Sequence, residues 1–341
     1  MNPNRPHPDH RRATPPLSRR LSLAVLGLSA LASLFNPAPV TAQPAAPLRV
    51  ILPVGTGSGV DVIIRSAQGA LTKALGGQPV IIENLPGAGG ITGTQALVKA
   101  APDGQTIAFV SNNHAVNPSV FRKLPYDSLA DITPISIVGG SPFVLVVNPQ
   151  RVPTRTAKEL QALLKSRGDA MNYASSGNGT IIHLGGEMVI DALGARLNHI
   201  PYKGMGPMIT DLIGGQVELG VAAVGAVQTH IKSGALRAIG VTGKHRVASL
   251  PDLPTLAEQG YADVDVGGWF AAIAPKGLPE AQVKRLHAAL VAAFNDPEVK
   301  AGFARRDDQL LLTTPEAATR FLKVEQDRYA PIVKRAGIAP E

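Results

Sequence analysis

Two short runs carry most of the groups that this chain could turn to chemistry. The first, Pro53-Val54-Gly55-Thr56-Gly57-Ser58-Gly59-Val60-Asp61, reads as a strand end, a glycine-rich turn and a helix start. Glycine lets backbone come close to a ligand, and the first N–H groups of a helix have no partner inside it, so such a turn suits an anion. The spacing is G-x-G-x-G, not a dinucleotide fingerprint, and the second glycine-rich run at residues 87–93 lacks that register too. Asp61 falls in the first helical turn, where the helix dipole favours an acid whether or not it meets a ligand. The other informative run is Tyr173-Ala174-Ser175-Ser176-Gly177-Asn178-Gly179-Thr180. Ser175, Ser176, Asn178 and Thr180 offer hydroxyl or amide donors and Gly177 and Gly179 expose N–H, a density of neutral donors suited to a carboxylate. His183 follows between Ile182 and Leu184, where a histidine satisfied within the core is the plainer reading than a base or ligand.

Little else points to bond-making chemistry. There is no G-x-S-x-G, no H-E-x-x-H and no cysteine, and Gly243-Lys244 is not a phosphate loop because Ala238 stands at its first glycine and His245 at its hydroxyl. Ser176 and His183 can be drawn as the pair of an exported α/β hydrolase, but no orienting acid can be assigned from sequence. The absence of cysteine also removes disulfides, thiolate metal sites and lipid anchoring through an N-terminal cysteine. No cofactor and no metal are expected.

The elements that must hold these runs alternate along the chain. Short aliphatic runs at residues 48–53, 79–83, 106–110, 143–147, 171–174, 217–222 and 236–242 read as buried strands of parallel sheets. Between them Ile63, Ile64, Ala67, Leu71, Ala74 and Leu75 share one helical face with Gly76 as a stop, and the rhythm recurs near residues 156–166, 180–193 and 205–213. Three further helices, each opened by a proline at 279, 297 and 315, should pack on the outside of a domain. The fold class is therefore α/β, with the ligand crevice at the carboxyl ends of the strands. Candidate crossings between two domains are residues 147–149 and 266–269. Gly267 and Gly268 there serve either a backbone rotation or tight passage beside Trp269.

Composition fits this reading. The chain has 341 residues, 45% apolar and only 4% aromatic, enough for a sizeable core and too few rings for a nucleic-acid stacking platform. Half of the net charge of +8 lies in residues 1–42, and the rest is interspersed, so no nucleic-acid partner is expected. Residues 1–42 read as a cleavable export signal: arginines up to Arg20, an apolar stretch of about 15 residues, too short for a bilayer core of about 20, and small residues before Gln43. The route is open, although Ser18-Arg19-Arg20-Leu21 is similar to a twin-arginine signal.

In order, residues 53–61, Glu83-Asn84-Leu85-Pro86-Gly87-Ala88-Gly89-Gly90, Ala101-Pro102-Asp103-Gly104, His114-Ala115-Val116-Asn117-Pro118, Leu124-Pro125-Tyr126-Asp127, residues 173–180, His183-Leu184, Pro201-Tyr202-Lys203-Gly204, Gly214-Gly215-Gln216-Val217 and Trp269-Phe270 resemble the tripartite tricarboxylate transporter substrate-binding proteins, the Bug or TctC family. The resemblance covers roughly residues 48–338. It implies a periplasmic binding protein of type II, two α/β lobes with a ligand cleft between them: residues 48–147 plus 269–341 as one lobe and 148–268 as the other. It implies a small organic carboxylate as ligand, membrane permease subunits as partners, a monomer, and no catalysis. Carried over by residue, the ligand loops are Val54, Gly55, Thr56, Gly57 and Ser58, and Ser175, Ser176, Gly177, Asn178, Gly179 and Thr180, with Tyr202 and Lys203 near the cleft. Many members have Phe-Asp-Asn where this chain has Val221-Ala222-Ala223, and often Thr at Val60. Loss of that acid removes an acceptor for a ligand amino group, which favours a plain carboxylate over an amino acid. A ligand-presenting sensor is the other role such a protein could fill.

Overall fold

The computed structural model describes residues 46–167 and 170–338. The export signal read at residues 1–42 lies outside them. Among the described residues no helix is long and apolar enough to cross a membrane.

The strands are β1 (Leu48–Leu52), β2 (Val80–Asn84), β3 (Thr106–Ser111), β4 (Ile132–Val147), β5 (Asn172–Ser175), β6 (Asn198–Pro201), β7 (Leu219–Ala223), β8 (Arg237–Val241), β9 (Gly267–Pro275) and β10 (Gln309–Leu310). The helices are α1 (Gly59–Ala74), α2 (Ile91–Val98), α3 (Asn113–Val120), α4 (Ala157–Arg167), α5 (Ile181–Ala192), α6 (Met205–Ile213), α7 (Val224–Lys232), α8 (Glu280–Phe294), α9 (Pro297–Arg305) and α10 (Pro315–Arg335). The sheet runs β2-β1-β3-β9-β4-β7-β5-β6, with β8 and β10 also on β4.

β4 is the strand that both sheet halves share. Its first part, up to Pro142, pairs antiparallel with β9, and Phe143 to Val147 pair antiparallel with β7, while β8 borders the same end. The β1–β2, β1–β3, β5–β6 and β5–β7 pairs are parallel, as the strand–helix rhythm predicts. The expectation of wholly parallel sheets is corrected by β9, β4, β7 and β8, which meet antiparallel. β9 was legible only as a crossing, because Gly-Gly-Trp-Phe-Ala-Ala-Ile-Ala-Pro has weak strand propensity and becomes a strand by being paired on both sides.

The crossing is tightly packed. A Cβ on Gly268 would stand 2.9 Å from the Phe143 ring, and one on Gly140 would stand 2.9 Å from the Gly268 carbonyl. Close passage is thus what glycine supplies there. The proline-led helices pack as outer layers: Leu286, Leu290 and Phe294 of α8 and Phe303 of α9 share a core with Ile63, Ile64 and Leu71 of α1, and Leu322 and Tyr329 of α10 pack with Val116 of α3.

Candidate ligand-binding site

The first loop is held from beneath by a buried carboxylate. Ser58 caps α1, its Oγ accepting from the Asp61 N–H at 3.3 Å. Gly57 turns through φ 80° and donates its N–H to Asp61 Oδ2 at 2.8 Å, while Asp61 Oδ1 accepts from Arg65 Nε at 2.8 Å and Asn84 Nδ2 at 2.9 Å. The same Asn84 amide donates to the Val54 carbonyl at 3.1 Å. Burial pushes the Asp61 carboxyl up, but the Gly57 N–H, Asn84 and Arg65 outweigh it and hold it below the usual carboxylate range. Asp61 therefore organises the loop as a first-turn acid. What the loop presents outward is the exposed backbone of Gly55, Thr56 and Gly57, and among the described residues the Gly55 and Thr56 N–H groups have no protein partner.

The second loop is likewise tied to itself. Thr180 caps α5, accepting the His183 N–H at 3.3 Å and donating to the Gly177 carbonyl at 2.8 Å. Ser175, fully buried, hydrogen-bonds His199 Nε2 at 2.6 Å, and its Oγ also accepts the Gly177 N–H. Ser176 Oγ meets Thr180 Oγ1 at 3.2 Å. Gly179, at φ 67° against Val120, donates its N–H to His183 Nδ1 at 3.0 Å. So most of the hydroxyls that make the run look donor-rich face inward and shape it, while Asn178 stands exposed and Ser176 half-buried.

Both loops converge on α3. Pro53 and Val54 line a narrow crevice with Gly90, Asn113, His114 and Asn117. Asn113 Oδ1 accepts the Ile181 N–H at 3.0 Å at the foot of the second loop, and Asn117 Nδ2 donates to the Gly89 carbonyl at 3.2 Å. The glycine run at 87–93 serves this approach: a Cβ on Gly93 would stand 2.9 Å from both Pro53 Cα and the Leu85 carbonyl. Asn84, Asn113 and Gly90 are site-forming residues that spacing alone did not single out, although Glu83–Gly90 and His114–Pro118 belong to the motifs of the resemblance.

Tyr202 and Lys203 take up different positions. The Tyr202 N–H donates to the Ser175 carbonyl at 2.9 Å and its hydroxyl donates to Asp211 Oδ2 at 2.8 Å, with burial and then Asp211 pushing the phenol up to about 12. Lys203 is exposed.

Beneath the second loop lies a stack of Tyr173, His199 and His183, the two imidazoles 3.7 Å apart. Tyr173 donates to Glu187 Oε1, and His183 Nε2 lies 3.7 Å from the same oxygen. Burial pushes Glu187 up, but the nearby His183 ring and the hydrogen bond from Tyr173 hold it below its usual range. Because Nδ1 of His183 accepts the Gly179 N–H, it holds the loop only while that nitrogen carries no proton. The serine–histidine hydrogen bond that forms here, Ser175 with His199, is wholly buried on the serine side, whereas Ser176 turns to Thr180.

His199 and His114 give the fold a pH dependence. Burial foremost, with the neighbouring His183 ring adding to it and Glu187 partly offsetting it, lowers His199 from 6.5 to about 4, and burial, against the Ser128 carbonyl, lowers His114 to about 4. Between pH 6.5 and about 4 the unfolded chain binds protons that the folded one does not, so stability is complete above 6.5 and falls as the pH drops through this window. The loss should be on the order of 3 kcal/mol for the buried His114 and smaller for the half-buried His199, where solvent screens the charge. Melting temperatures from pH 7 to 4 should fall, and His199→Asn should flatten part of that slope. An unchanged slope would show that His199 titrates normally.

A mixed α/β chain whose two sheet halves share long strands, with two glycine-rich loops meeting at one helix start, has the architecture of periplasmic binding proteins. The family model for the tripartite tricarboxylate transporter family receptor matches residues 63–338, and the chain belongs to that family of solute-binding proteins. Protein BugT of Bordetella pertussis is 36% identical over 318 residues, 92% of this chain and 97% of its own. The structure of the periplasmic binding protein BugD aligns with TM-score 0.80 at 33% identity, covering 88% of this chain and all of the other. The R. palustris protein Rpa4515 with adipate aligns with TM-score 0.81 at 26% identity over 87% of this chain and 99% of its own.

Proposed function

We propose that this chain is exported to the periplasm, captures a small organic carboxylate between two lobes, residues 48–147 plus 269–341 and residues 148–268, and delivers it as a monomer to the permease subunits of a tripartite tricarboxylate-type transporter. The observation that carries this reading is the construction of the two loops: Asp61, Thr180 and His183 hold them open from beneath, and exposed backbone at Gly55 and Thr56 offers N–H groups to an anion. The adipate bound by a structural neighbour supports the ligand class. A ligand that touches both loops only when they are close shifts the lobes toward closure by its differential affinity.

The test is a thermal-shift screen of mono-, di- and tricarboxylates. A ligand at about 100 times its dissociation constant adds about 2.7 kcal/mol of stability and should raise the melting temperature clearly. The fully esterified acids should not, and scattering should show a smaller radius of gyration with the bound acid. Equal stabilisation by the esters, with their hydrolysis, would replace this reading with an exported hydrolase.

A further inference from the structure

Asn178 is the only asparagine of the chain that is followed by glycine, and it stands exposed in the second loop. Such a pair can react with itself. The backbone nitrogen after an asparagine attacks the side-chain amide carbon when it can shed its proton and when no side chain of its own shields it. Gly179 meets both conditions: it has no Cβ, and its N–H donates to His183 Nδ1 at 3.0 Å. The acceptor is an imidazole nitrogen, which takes up a proton near neutral pH, where most turn N–H groups meet a carbonyl oxygen, which does not.

The backbone on both sides of Asn178 is fixed. Thr180 Oγ1 donates to the Gly177 carbonyl at 2.8 Å, and Gly179 is buried against Val120, where a Cβ would stand 3.2 Å from the valine. Asn84 and Asn113 precede leucine and histidine, and Asn117 precedes proline, which has no N–H to give up. Three titratable groups face the His183 ring. His199 of β6 stacks on it at 3.7 Å, Tyr173 of β5 lies 6.2 Å away between ring centres, and Glu187 of α5 places Oε1 3.7 Å from Nε2. Glu187 favours the tautomer that carries its proton on Nε2, which leaves the Nδ1 lone pair on the Gly179 N–H.

We propose that Asn178–Gly179 is a self-modifying site with His183 as its general base. Nδ1 takes the Gly179 proton, the nitrogen bonds to Asn178 Cγ, and the Cγ–Nδ2 bond breaks. Solvent protonates the departing amide, which leaves as ammonia, and His183 returns its proton to solvent. Water then opens the five-membered imide at either carbonyl, giving aspartate or isoaspartate at 178, so that one water is consumed for each ammonia released. Either product carries a new carboxylate in the turn before α5, at the positive end of that helix. The consequence for binding rests on the carboxylate reading above: the modified loop holds an anion of its own and should bind acids about tenfold more weakly.

Purified protein kept at physiological temperature, digested at intervals and followed by mass spectrometry tests the assignment. The peptide carrying Asn178 should gain the mass difference between amide and acid, with an isoaspartate fraction, and peptides carrying Asn84 or Asn113 should not. His183→Asn, whose side-chain oxygen can accept the Gly179 N–H but takes up no proton, should slow the change by about tenfold or more. The wild-type rate should stop rising with pH once the imidazole is neutral, instead of following hydroxide. If His183→Asn does not fold, that pH profile alone decides the role of His183. An Asn178 that stays an amide, a rate that follows hydroxide, or a His183→Asn protein that reacts as fast as the wild type or faster would overturn the proposal. The modified form, separated on an ion-exchange column by its extra charge, is then titrated beside fresh protein with succinate, adipate and citrate. Weaker binding supports the block on the ligand loop, and equal binding removes it. Acids that bind neither form would strike the carboxylate reading and leave the modification standing.

Discussion

Glu325→Ala should lower stability by about 3–5 kcal/mol, the cost of stripping a buried charge network of its centre. Glu325 is 6% exposed on α10; its Oε2 accepts from Trp269 Nε1 at 2.7 Å and the Tyr329 hydroxyl at 2.6 Å, and its Oε1 from Arg328 at 3.1 Å. Burial and the Glu325 carboxylate push the Tyr329 phenol up, which keeps it a donor. Tyr329 in turn accepts from Asn112, and Asn112 Oδ1 accepts the Trp269 N–H at 2.8 Å, so three distant segments meet where β9 enters its crossing with β4. Alanine leaves the Trp269 indole N–H and the Tyr329 hydroxyl without an acceptor and takes from Arg328 one of its two acidic partners, Asp265 being the other. Urea denaturation followed by the emission of Trp269, the single tryptophan, reads both the loss and the local change. Glu325→Gln should lose less, since it keeps one acceptor. A Glu325→Ala protein of wild-type stability would mean that the network contributes nothing to the crossing.

The second large effect is on binding. Asp61→Ala should reduce carboxylate affinity by a factor of a hundred or more and cost about 3 kcal/mol of stability, because it removes charge-assisted hydrogen bonds of about 1.5–3 kcal/mol each to Gly57, Asn84 and Arg65. The Gly57 N–H, which the carboxylate holds in place, would then compete to turn the loop, and Asn84 would lose the anchor it shares with Val54. Asp61→Asn retains one acceptor and should fall between. Since the folded carboxyl titrates below its ordinary range, its contribution is present above that range and is lost as the pH falls through the folded value. Calorimetry that found tight binding by Asp61→Ala would show that the first loop keeps its shape without the buried acid.

Much of the architecture was legible along the chain. The helical faces of α1, α5 and α6, the proline openings of α9 and α10 and the aliphatic runs of β1, β3 and β7 are local patterns, and each element forms where its pattern lies. The half-read strand is instructive. Only residues 143–147 of β4 look like a strand, because Gly139, Gly140 and Pro142 interrupt the run, yet the strand extends from Ile132 by pairing with β9. β6, Asn-His-Ile-Pro, is an edge strand whose polar residues and proline hide it.

The site divides in the same way. That two glycine-rich turns stand at strand ends before helices follows from spacing, because capping and positive-φ turns are decided by neighbouring residues: Ser58 and Thr180 cap the helices that follow them, and Gly57 and Gly179 turn at positive φ. Which donors of those turns look outward does not follow from spacing. Ser175 is claimed by His199, 24 residues on, Gly179 by His183, and the Val54 carbonyl by Asn84, so a run that reads as a row of ligand donors is largely a row of internal struts. Arg306 comes to Gly59 and Gly225 from the far end of the chain, and Asn112 to Tyr329 across 217 positions. Such pairings are set by the shared strands that bring the sheet halves together, and a hydrogen bond between distant segments leaves no period in the sequence to mark it.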